Sequence, residues 1–296
     1  MKSIIRNLAA ILLLLSTIIF TGNSQKRSSS APFFIIQATD PQFGMYEQDK
    51  GFSKETELYE KAVEAINKLN PDLVVLTGDL INKKDDRAQV VEFKRITAKI
   101  NSEIPVYYSP GNHDIGQPTS QTDIDLFTED YGHDRFSIKH KKNLLIGINS
   151  CIIKSNDPVL EMKQFDWLKK ELSKSKRAKH TIIFTHYPFF INAFDEPETY
   201  SNIAIDTRNR YLNLFKEFGV DAIFAGHLHN NGSGKYGEMQ MITTSAVGKP
   251  LGKVQSGIRV IKVYPDRIES VFYTLNEMPE MIFNFLTLSP SPSLKQ

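Results

Sequence analysis

The stretch FFIIQATDPQFG, residues 33–44, joins an apolar run to a turn that carries metal-capable side chains. The run Phe33–Ala38 is apolar enough to predict a buried strand. Asp40 and Gln42 follow it at once, and Pro41 between them has a fixed φ and no N–H, which favours a turn. One such turn means little alone, but the same arrangement recurs at four other places in the chain.

Alternating strand and helix patterns surround this stretch and predict one continuous α/β domain. Apolar runs at 73–76 and 106–108 predict further buried strands, and amphipathic helices are predicted at 54–70 and 86–100. Because helices separate these strands, we expect the strands to be parallel and joined by right-handed crossovers.

The rest of the chain continues this pattern and then changes character. The next predicted elements are a strand pair at 135–140 and 143–150, a helix at 162–174, a strand at 180–186, a helix at 207–218 and a strand at 221–226. The last third predicts antiparallel strands at 239–245, 257–264 and 267–274, joined by glycine and Pro-Asp turns. We expect a loosely ordered tail at 277–296, so the globular domain is predicted to span 33–276.

The N-terminus has the pattern of a secretory signal. Lys2 and Arg6 precede the apolar segment Leu8–Phe20, which small and polar residues follow. This order of charged, apolar and small residues is typical of a signal peptide, predicted here over 1–24, with a polar linker at 25–32. The protein is therefore expected to be exported, either to a periplasm or out of the cell. An uncleaved membrane anchor is the alternative, and the only basis on which we expect membrane association.

Composition and charge exclude some classes of partner. The chain has 296 residues, of which 41% are hydrophobic and 24% charged, as is ordinary for a soluble globular protein. The formal net charge of +2 falls near zero once Lys2 and Arg6 are removed with the signal. Without a basic block, no nucleic-acid partner is expected. Cys151 is the only cysteine, which excludes an intramolecular disulfide, and it is predicted at a half-buried strand end.

Four further predicted strands end abruptly in metal-capable side chains. Parallel α/β sheets bind ligands beyond the carboxyl ends of their strands, so these side chains are expected to share one crevice with Asp40 and Gln42. Four of the seven histidines of the chain lie at these ends, which scattered core histidines would not do. The residues are Asp79 in VVLTGDL, Asn112, His113 and Asp114 in YYSPGNHD, His186 in IIFTHYP, and His227 and His229 in IFAGHLH.

The mixture of donors indicates a particular chemistry. Oxygen donors together with imidazoles suit Mn²⁺, Fe, Zn²⁺ or Mg²⁺, whereas softer metals prefer cysteine. Two ions a few ångströms apart need a bridging carboxylate, and Asp79 is the natural candidate. Such a pair generates hydroxide near neutral pH and holds the oxygens of an in-line displacement at phosphorus.

The ordered motifs resemble those of the calcineurin-like metallophosphoesterase superfamily over about Phe33 to Thr274. The family pattern of Asp-x-His, Gly-Asp, Gly-Asn-His-Asp/Glu, His and Gly-His-x-His is matched, except that Gln42 stands where histidine is usual. An Asp-Pro-Gln subgroup, which includes animal serine/threonine phosphatases, shares this departure. The resemblance implies a four-layer α/β/β/α sandwich with two mixed sheets and with the metals at the carboxyl ends of the strands.

The resemblance also implies a role for each motif residue. His113 is expected to face the phosphate or the leaving-group oxygen rather than a metal, with Asp114 orienting it. The implied ligands are Asp40, Gln42 and His229 for the first metal, Asp79 as the bridge, and Asn112, His186 and His227 for the second.

Gln42 carries its own prediction about the metal. An amide oxygen is neutral, hard and a poorer donor to borderline metals than imidazole, so Mn²⁺ or Mg²⁺ is expected to support activity better than Zn²⁺, with Mn²⁺ favoured. The alternative is that Gln42 binds no metal and that a water fills the position.

Hydrolysis of phosphomonoesters, on small molecules or phosphoproteins, is the function the resemblance favours. A phosphodiesterase acting on nucleotides, phospholipid heads or cell-wall polymers is the alternative within enzymes. A metal- or phosphate-binding module without turnover is the alternative from another class.

Near the site, Arg208 and Arg210 are predicted on a solvated helix face, with phosphate binding as the other interpretation. The loop 187–200 is expected either to wall the pocket or to pack its Phe189 and Phe190 into the core.

Overall fold

The computed structural model describes residues 31–155 and 157–283. The predicted signal segment, most of the linker and the end of the tail lie outside the described residues. The described strands are β1 Phe33–Ala38, β2 Leu73–Thr77, β3 Val106–Ser109, β4 Phe136–His140, β5 Asn143–Gly147, β6 Thr181–Phe184, β7 Ala222–Ala225, β8 Gly232–Tyr236, β9 Met239–Thr243, β10 Gly257–Val263 and β11 Ile268–Thr274. The α-helices are α1 Ser53–Leu69, α2 Arg87–Thr97, α3 Asn112–Ile115, α4 Gln121–Tyr131, α5 Ser150–Ser155, α6 Pro158–Leu172 and α7 Ile205–Glu217.

The strands form two mixed sheets. The first has the order β11-β10-β1-β2-β3, and the second has the order β4-β5-β6-β7-β9-β8. In the first sheet β1, β2 and β3 are parallel, as the helical crossovers predicted, and β10 lies antiparallel to β1. In the second sheet β5, β6 and β7 are parallel, while β4 pairs antiparallel with β5.

Two elements of the second sheet differ from the sequence prediction. The segment 239–245 was expected in an antiparallel arrangement, but β9 pairs parallel with β7 and antiparallel only with β8. Strand β8 was not predicted, because its sequence GSGKY has no apolar alternation. β10 and β11 are antiparallel, as expected.

The apolar strands are buried on both faces because the sheets stack on each other and carry helices outside. Successive side chains of a strand point to opposite faces. Phe33 and Ile35 accordingly lie in the cluster between the sheets, together with Phe224 and Ile261. Their neighbour Ile36 belongs to the cluster that includes the buried faces of the helices. The result is the four-layer α/β/β/α arrangement that the motifs implied.

The structure also bears on Cys151, on the C-terminal tail and on membrane-spanning helices. Cys151 lies in α5 and is fully buried, so the prediction of a half-buried strand end is wrong. Its burial raises the pKa of the thiol well above the usual range. In the described part of the tail, Met278 and Ile282 pack against the core. Across 31–155 and 157–283, none of the helices is long and apolar enough to cross a membrane.

Candidate metal centre

The carboxyl ends of five strands bring the predicted ligands together. Asp40 follows β1, Asp79 follows β2, Asn112 follows β3, and His186 follows β6 within a few residues. His227 and His229 follow β7. The exposed fractions are 0% for Asp40, 2% for Gln42, 1% for Asp79, 9% for Asn112, 0% for His186, 8% for His227 and 4% for His229. All seven predicted ligands are therefore buried, which polar side chains rarely are without partners.

Five of these residues have a left-handed backbone. Non-glycine residues seldom adopt positive φ, and each instance costs about 1–3 kcal/mol. The φ angles are 50° for Asp40, 39° for Gln42, 48° for Asp79, 71° for His227 and 50° for His229. Such strain persists only where the surrounding structure imposes it, and it concentrates at functional sites.

Glycines let the strand ends approach closely enough to form one crevice. A Cβ at Gly226 would lie 1.9 Å from the hydroxyl oxygen of Thr39 and 2.8 Å from a carboxylate oxygen of Asp40. Gly78 has a φ of +86°, and a Cβ there would lie 2.6 Å from the backbone nitrogen of Gly111. No larger residue fits at either position while the neighbouring ligands keep their places.

The candidate ligands fall into two overlapping groups. Asp79, His186 and His227 form one, and Asp40, Asp79 and His229 form the other; within each, the potential ligand atoms lie within 4.8 Å of one another. Asp79 alone belongs to both groups, which is the position a bridging carboxylate requires. The grouping follows the division of ligands that the motifs implied.

His186 directs one ring nitrogen into the site. Its Nδ1 lies 2.9 Å from the carbonyl oxygen of Thr77, to which an Nδ1–H would donate. Its Nε2 then faces Asn112 Oδ1 at 3.1 Å, His227 Nδ1 at 3.2 Å and Asp79 Oδ2 at 3.3 Å. Four potential ligand atoms thus converge on one small volume.

The other group is fixed in the same way. His229 has its Nδ1 2.6 Å from the carbonyl oxygen of Lys249, and its Nε2 lies 3.5 Å from Asp40 Oδ1. Asp40 Oδ2 accepts hydrogen bonds from Thr39 Oγ1 at 2.7 Å and from the backbone N–H of His227 at 3.1 Å. Asp40 Oδ2 is thus engaged in hydrogen bonds within the protein, whereas Asp40 Oδ1 faces the site.

A chain of amides sets the direction of the Gln42 side chain. Asn82 donates from its Nδ2 to Asp49 Oδ1 at 2.7 Å, and its Oδ1 accepts from Gln42 Nε2 at 3.0 Å. A carboxylate only accepts, so Asp49 fixes the amide of Asn82, and Asn82 in turn fixes that of Gln42. The Gln42 oxygen is left free of protein partners. Sequence reasoning missed Asn82 and Asp49, because neither lies in a ligand motif.

Three buried atoms of the site lack a hydrogen-bond partner within the described chain: Asp40 Oδ1, Gln42 Oε1 and His227 Nε2. Asp40 Oδ1 and Gln42 Oε1 carry lone pairs that could bind a cation, whereas His227 directs its Nδ1 toward the other ligand atoms, so its Nε2 would carry the proton. Buried polar atoms without partners cost free energy, and divalent cations would satisfy oxygen and imidazole donors of this kind. The residues therefore fit a metal centre.

The electrostatics favour the metal-binding forms of Asp79 and His227 but not those of Asp40 and His186. Burial lowers the pKa of His186, but Asp79 outweighs it and raises the pKa to about 9, which favours the imidazolium. Burial raises the pKa of Asp40 although His229 and His186 lower it. Burial alone would raise the pKa of Asp79 too, but His186, His113 and His227 outweigh it and bring the pKa below the usual range. Burial and then His186 lower the pKa of His227 to about 3, which leaves a neutral imidazole. Carboxylate and neutral imidazole are the metal-binding forms.

His113 is oriented by a backbone carbonyl and not by Asp114. Its Nδ1 lies 2.7 Å from the carbonyl oxygen of Asn82, and its backbone N–H donates to Asp79 Oδ1 at 2.8 Å. Asp114 instead accepts from the backbone N–H groups of Leu80 at 2.8 Å and Gly111 at 2.8 Å, and so ties two loops together. The expectation that Asp114 orients His113 is therefore wrong, since its oxygens are engaged elsewhere.

The loop 187–200 walls the site through Tyr200, which the sequence did not single out. Its hydroxyl lies 3.4 Å from Asn112 Nδ2, its ring centre lies 5.1 Å from that of His227, and the residue is 66% exposed. Phe189 and Phe190 are buried, so they pack into the core. The position of Tyr200 at the end of an aromatic, acidic loop after His186 was the available signal.

Arg208 holds this loop and is neither solvated nor free to bind phosphate. It is fully buried and donates to the carbonyl oxygens of Phe194 at 2.9 Å, Glu196 at 2.7 Å and Ile203 at 2.7 Å. Both sequence interpretations of Arg208 are wrong. Arg210 has a side chain 48% exposed and pairs with Glu161 at 2.6 Å.

The fold is a two-sheet α/β sandwich, and its strand ends place two carboxylate–histidine groups around one shared aspartate. This combination is that of a dinuclear metal-dependent hydrolase. Comparison with known proteins makes the class specific. Residues 35–231, more than half of the chain, match the family profile of calcineurin-like phosphoesterases. The chain belongs to the calcineurin-like phosphoesterase family and is a hydrolase of phosphoester bonds, which confirms the resemblance drawn from its motifs.

Relatives and solved structures agree with this assignment. The serine/threonine-protein phosphatase CPPED1 of Rattus norvegicus is 34% identical over 277 residues, which cover 87% of this chain and 88% of the relative. The human protein of the same name is 35% identical over 84% of this chain and 86% of its own. A dimetal phosphatase from Danio rerio has the same fold, with a TM-score of 0.56 and 13% identity over 82% of this chain and 99% of that one. The purple acid phosphatase PPD1 of yellow lupin gives a TM-score of 0.65 and 13% identity over 90% of this chain and 58% of that one.

Replacement of Asp79 by asparagine is expected to weaken both metal sites at once. The substitution keeps the shape but removes the one charge common to both ligand groups, so affinity for two divalent ions should fall by more than about 10-fold. Metal content after dialysis, measured by mass spectrometry, and titration calorimetry check this. The exposed Asp166→Asn on α6 is the matched control. Two ions retained at wild-type affinity in D79N would refute the bridging role.

The variant Asp49→Asn tests the orientation of Gln42 without changing a ligand. The new amide can both donate and accept, so only Gln89 Nε2, which donates to the same Asp49 oxygen at 2.9 Å, still opposes a reversal of the Asn82 and Gln42 amides. We expect affinity for one of the two Mn²⁺ ions to fall on the order of 10-fold. Calorimetric titration of the metal-free protein measures it, with the exposed Asp85→Asn as control. Equal affinities in D49N and D85N would show that the chain of amides has no such role.

Proposed function

We propose that this protein is a metal-dependent phosphomonoesterase whose substrates include phosphoproteins. One observation carries the proposal: Asp79 belongs to both groups of ligand atoms, each within 4.8 Å. Hydrolysis by two metal ions needs one carboxylate held between them. The name of the CPPED1 relatives supports a serine/threonine phosphoester substrate.

The donor set indicates how the site would hold its ions. When bound, two divalent ions would supply a nucleophilic hydroxide near neutral pH and offset charge on the phosphoryl oxygens. The residues that would hold them are Asp40, Gln42, Asp79, Asn112, His186, His227 and His229. Because Gln42 offers a hard, neutral oxygen, we propose Mn²⁺ as the preferred ion, ahead of Zn²⁺.

His113 is the proposed general acid. Its Nδ1 contacts the carbonyl oxygen of Asn82 at 2.7 Å, which leaves Nε2 as the atom for substrate. A proton on Nε2 would pass to the leaving-group oxygen as the ester bond to phosphorus breaks. The hydrogen bond from its backbone to Asp79, at 2.8 Å, keeps the imidazole close to the ligand groups.

A phosphodiesterase is the second candidate. A probable cyclic nucleotide phosphodiesterase from Pseudoalteromonas is 27% identical over 72% of this chain and 77% of its own. Tyr200, exposed beside His227, offers an aromatic surface on which a base could stack. The monoesterase is favoured because the CPPED1 relatives are more similar and cover more of the chain.

Turnover of p-nitrophenyl phosphate is expected to exceed that of bis-p-nitrophenyl phosphate. EDTA should abolish both activities, and Mn²⁺ should restore them better than Zn²⁺. The measurement is the steady-state rate of metal-free protein reconstituted with each ion. A faster diester would favour the phosphodiesterase, and highest activity with Zn²⁺ would refute the metal preference.

The variant His113→Asn separates an enzyme from a binding module in the same assay. It should lose about 10²–10⁴-fold in kcat, as removal of a general acid does, while it still binds two metal ions. Wild-type protein that binds two ions and a phosphoserine peptide yet hydrolyses no substrate would show a binding module instead.

We also propose that the protein is exported after cleavage of its first 24 residues. The support is the charged, apolar and small-residue pattern of that segment. N-terminal sequencing of the protein from its native host is expected to begin at Gln25. An intact Met1 on membrane-bound protein would instead establish an anchor.

A further inference from the structure

A polar groove opens between the two sheets, and its lining begins at Asn231, two residues beyond the candidate ligand His229. It has a volume of about 610 Å³ and lies where the edge strands β8 and β11 face each other, with β9 and β10 behind them. Its side-chain lining consists mainly of Ser233, Lys235, Gln240, Arg259 and Ser270. The volume lies in the range of small-molecule sites.

These polar residues interrupt an otherwise apolar interface. Arg259 precedes Ile261 by two positions in β10, so both side chains point toward the second sheet. Ile261 joins the apolar cluster between the sheets, as does Ile242 of β9. Ser233 pairs opposite Ile242, and Lys235, two residues further along β8, pairs opposite Gln240. At this corner the inner faces carry hydroxyl, amide and cationic groups where apolar packing would close the sandwich.

Arg259 is a buried cation that has no acidic partner within residues 31–155 and 157–283. It is 7% exposed, and its hydrogen bonds go to neutral oxygens: Thr244 Oγ1 at 2.7 Å, Asn231 Oδ1 at 2.8 Å, the carbonyl of Thr243 at 3.2 Å and Ser270 Oγ at 3.2 Å. These four bonds leave one of the five guanidinium N–H groups unused. Burial lowers its pKa to about 10, and no carboxylate of the described chain acts against that shift.

Among the described residues, the groove therefore has a positive lining that neutral oxygens and the ring of Phe272, 6.0 Å from the guanidinium carbon of Arg259, stabilise without an opposite charge. Lys235 is exposed at its rim, and no aspartate or glutamate is among the lining residues. A buried charge is costly unless it is paired, and guanidinium groups pair best with the oxygens of phosphate or carboxylate. Hydroxyls of Ser233 and Ser270 beside the cations complete a set of donors for such oxygens.

We propose that this groove is a second binding site, which takes a small organic molecule bearing a phosphate-type oxyanion. Arg259 and Lys235 bind the oxyanion, and the remaining space beside Gln240 and the glycines of β8 holds the polar body of the molecule. Inorganic phosphate is the minimal ligand, but the groove is several times its size. The proposal does not depend on the proposed phosphomonoesterase activity.

Phosphate also binds metal centres, so the test must detect binding at residues of the groove itself. Selective ¹⁵N-glycine labelling of the Mg²⁺-loaded protein reports on Gly232 and Gly234, which line the groove. Titration with inorganic phosphate at constant ionic strength is expected to shift both amides saturably, whereas chloride shifts neither. A non-hydrolysable sugar phosphonate should bind more tightly than inorganic phosphate if an organic body is recognised.

Two variants assign the binding to its cations. Lys235 is exposed, and Lys235→Gln should weaken phosphate binding, read from the glycine amides, by about 3-fold. Arg259→Lys should weaken it by about 10-fold, because lysine lacks the forked donors of the guanidinium group. Lys169→Gln, the same charge change on the outer helix α6, should leave binding unchanged.

Absence of a saturable shift at Gly232 and Gly234, or equal affinities in wild type and K235Q, would overturn the proposal. Shifts that chloride reproduces would show a general ionic effect and overturn it as well. Equal affinity for phosphate and phosphonate would restrict the ligand to the free ion and overturn the organic class. Hydrolysis of p-nitrophenyl phosphate, measured on the same samples, reports separately on the proposed function.

Discussion

The Asp79 carboxylate is the constraint on which the rest of the site depends. It is 1% exposed, lies 3.3 Å from His186 Nε2 and accepts the backbone N–H of His113 at 2.8 Å. A buried charge must be compensated, and His186 contributes most to that compensation. The ends of β2, β3 and β6 are therefore fixed relative to one oxygen pair, and the absence of a side chain at Gly78 gives them room to meet there.

The sandwich supplies the rigidity that this arrangement requires. Strands buried on both faces cannot shift without disturbing two layers of packing, so they impose left-handed turns on the residues that follow them. Five such residues keep positive φ angles because the surrounding structure holds them there, and the turns bring their side chains to one site. Packing and chemistry are thus separated along each strand, with apolar residues before the turn and donors after it.

That separation explains which parts were predictable from sequence. Apolar runs that end in donors revealed the strands of the site and seven buried candidates, because both signals lie within a few residues. β8 lacked that signal, and the partner of β9 depends on contacts across the sheet. Asn82 acts on Gln42 from 40 residues away. Arg208 was misassigned because its partners are backbone carbonyls, which leave no mark in the sequence.

Gln42, which stands where the family usually has histidine, shares one feature with the histidine donors: a hydrogen bond fixes which of its atoms faces the site. His186 directs Nδ1 to the carbonyl of Thr77, and His229 directs its own to the carbonyl of Lys249. Each thereby fixes which nitrogen keeps its lone pair. Gln42 does the same through the side chain of Asn82, whose direction depends on Asp49. An amide at this position presents its oxygen to the site because Asn82 and Asp49 direct its nitrogen away, so the three side chains are coupled through two hydrogen bonds.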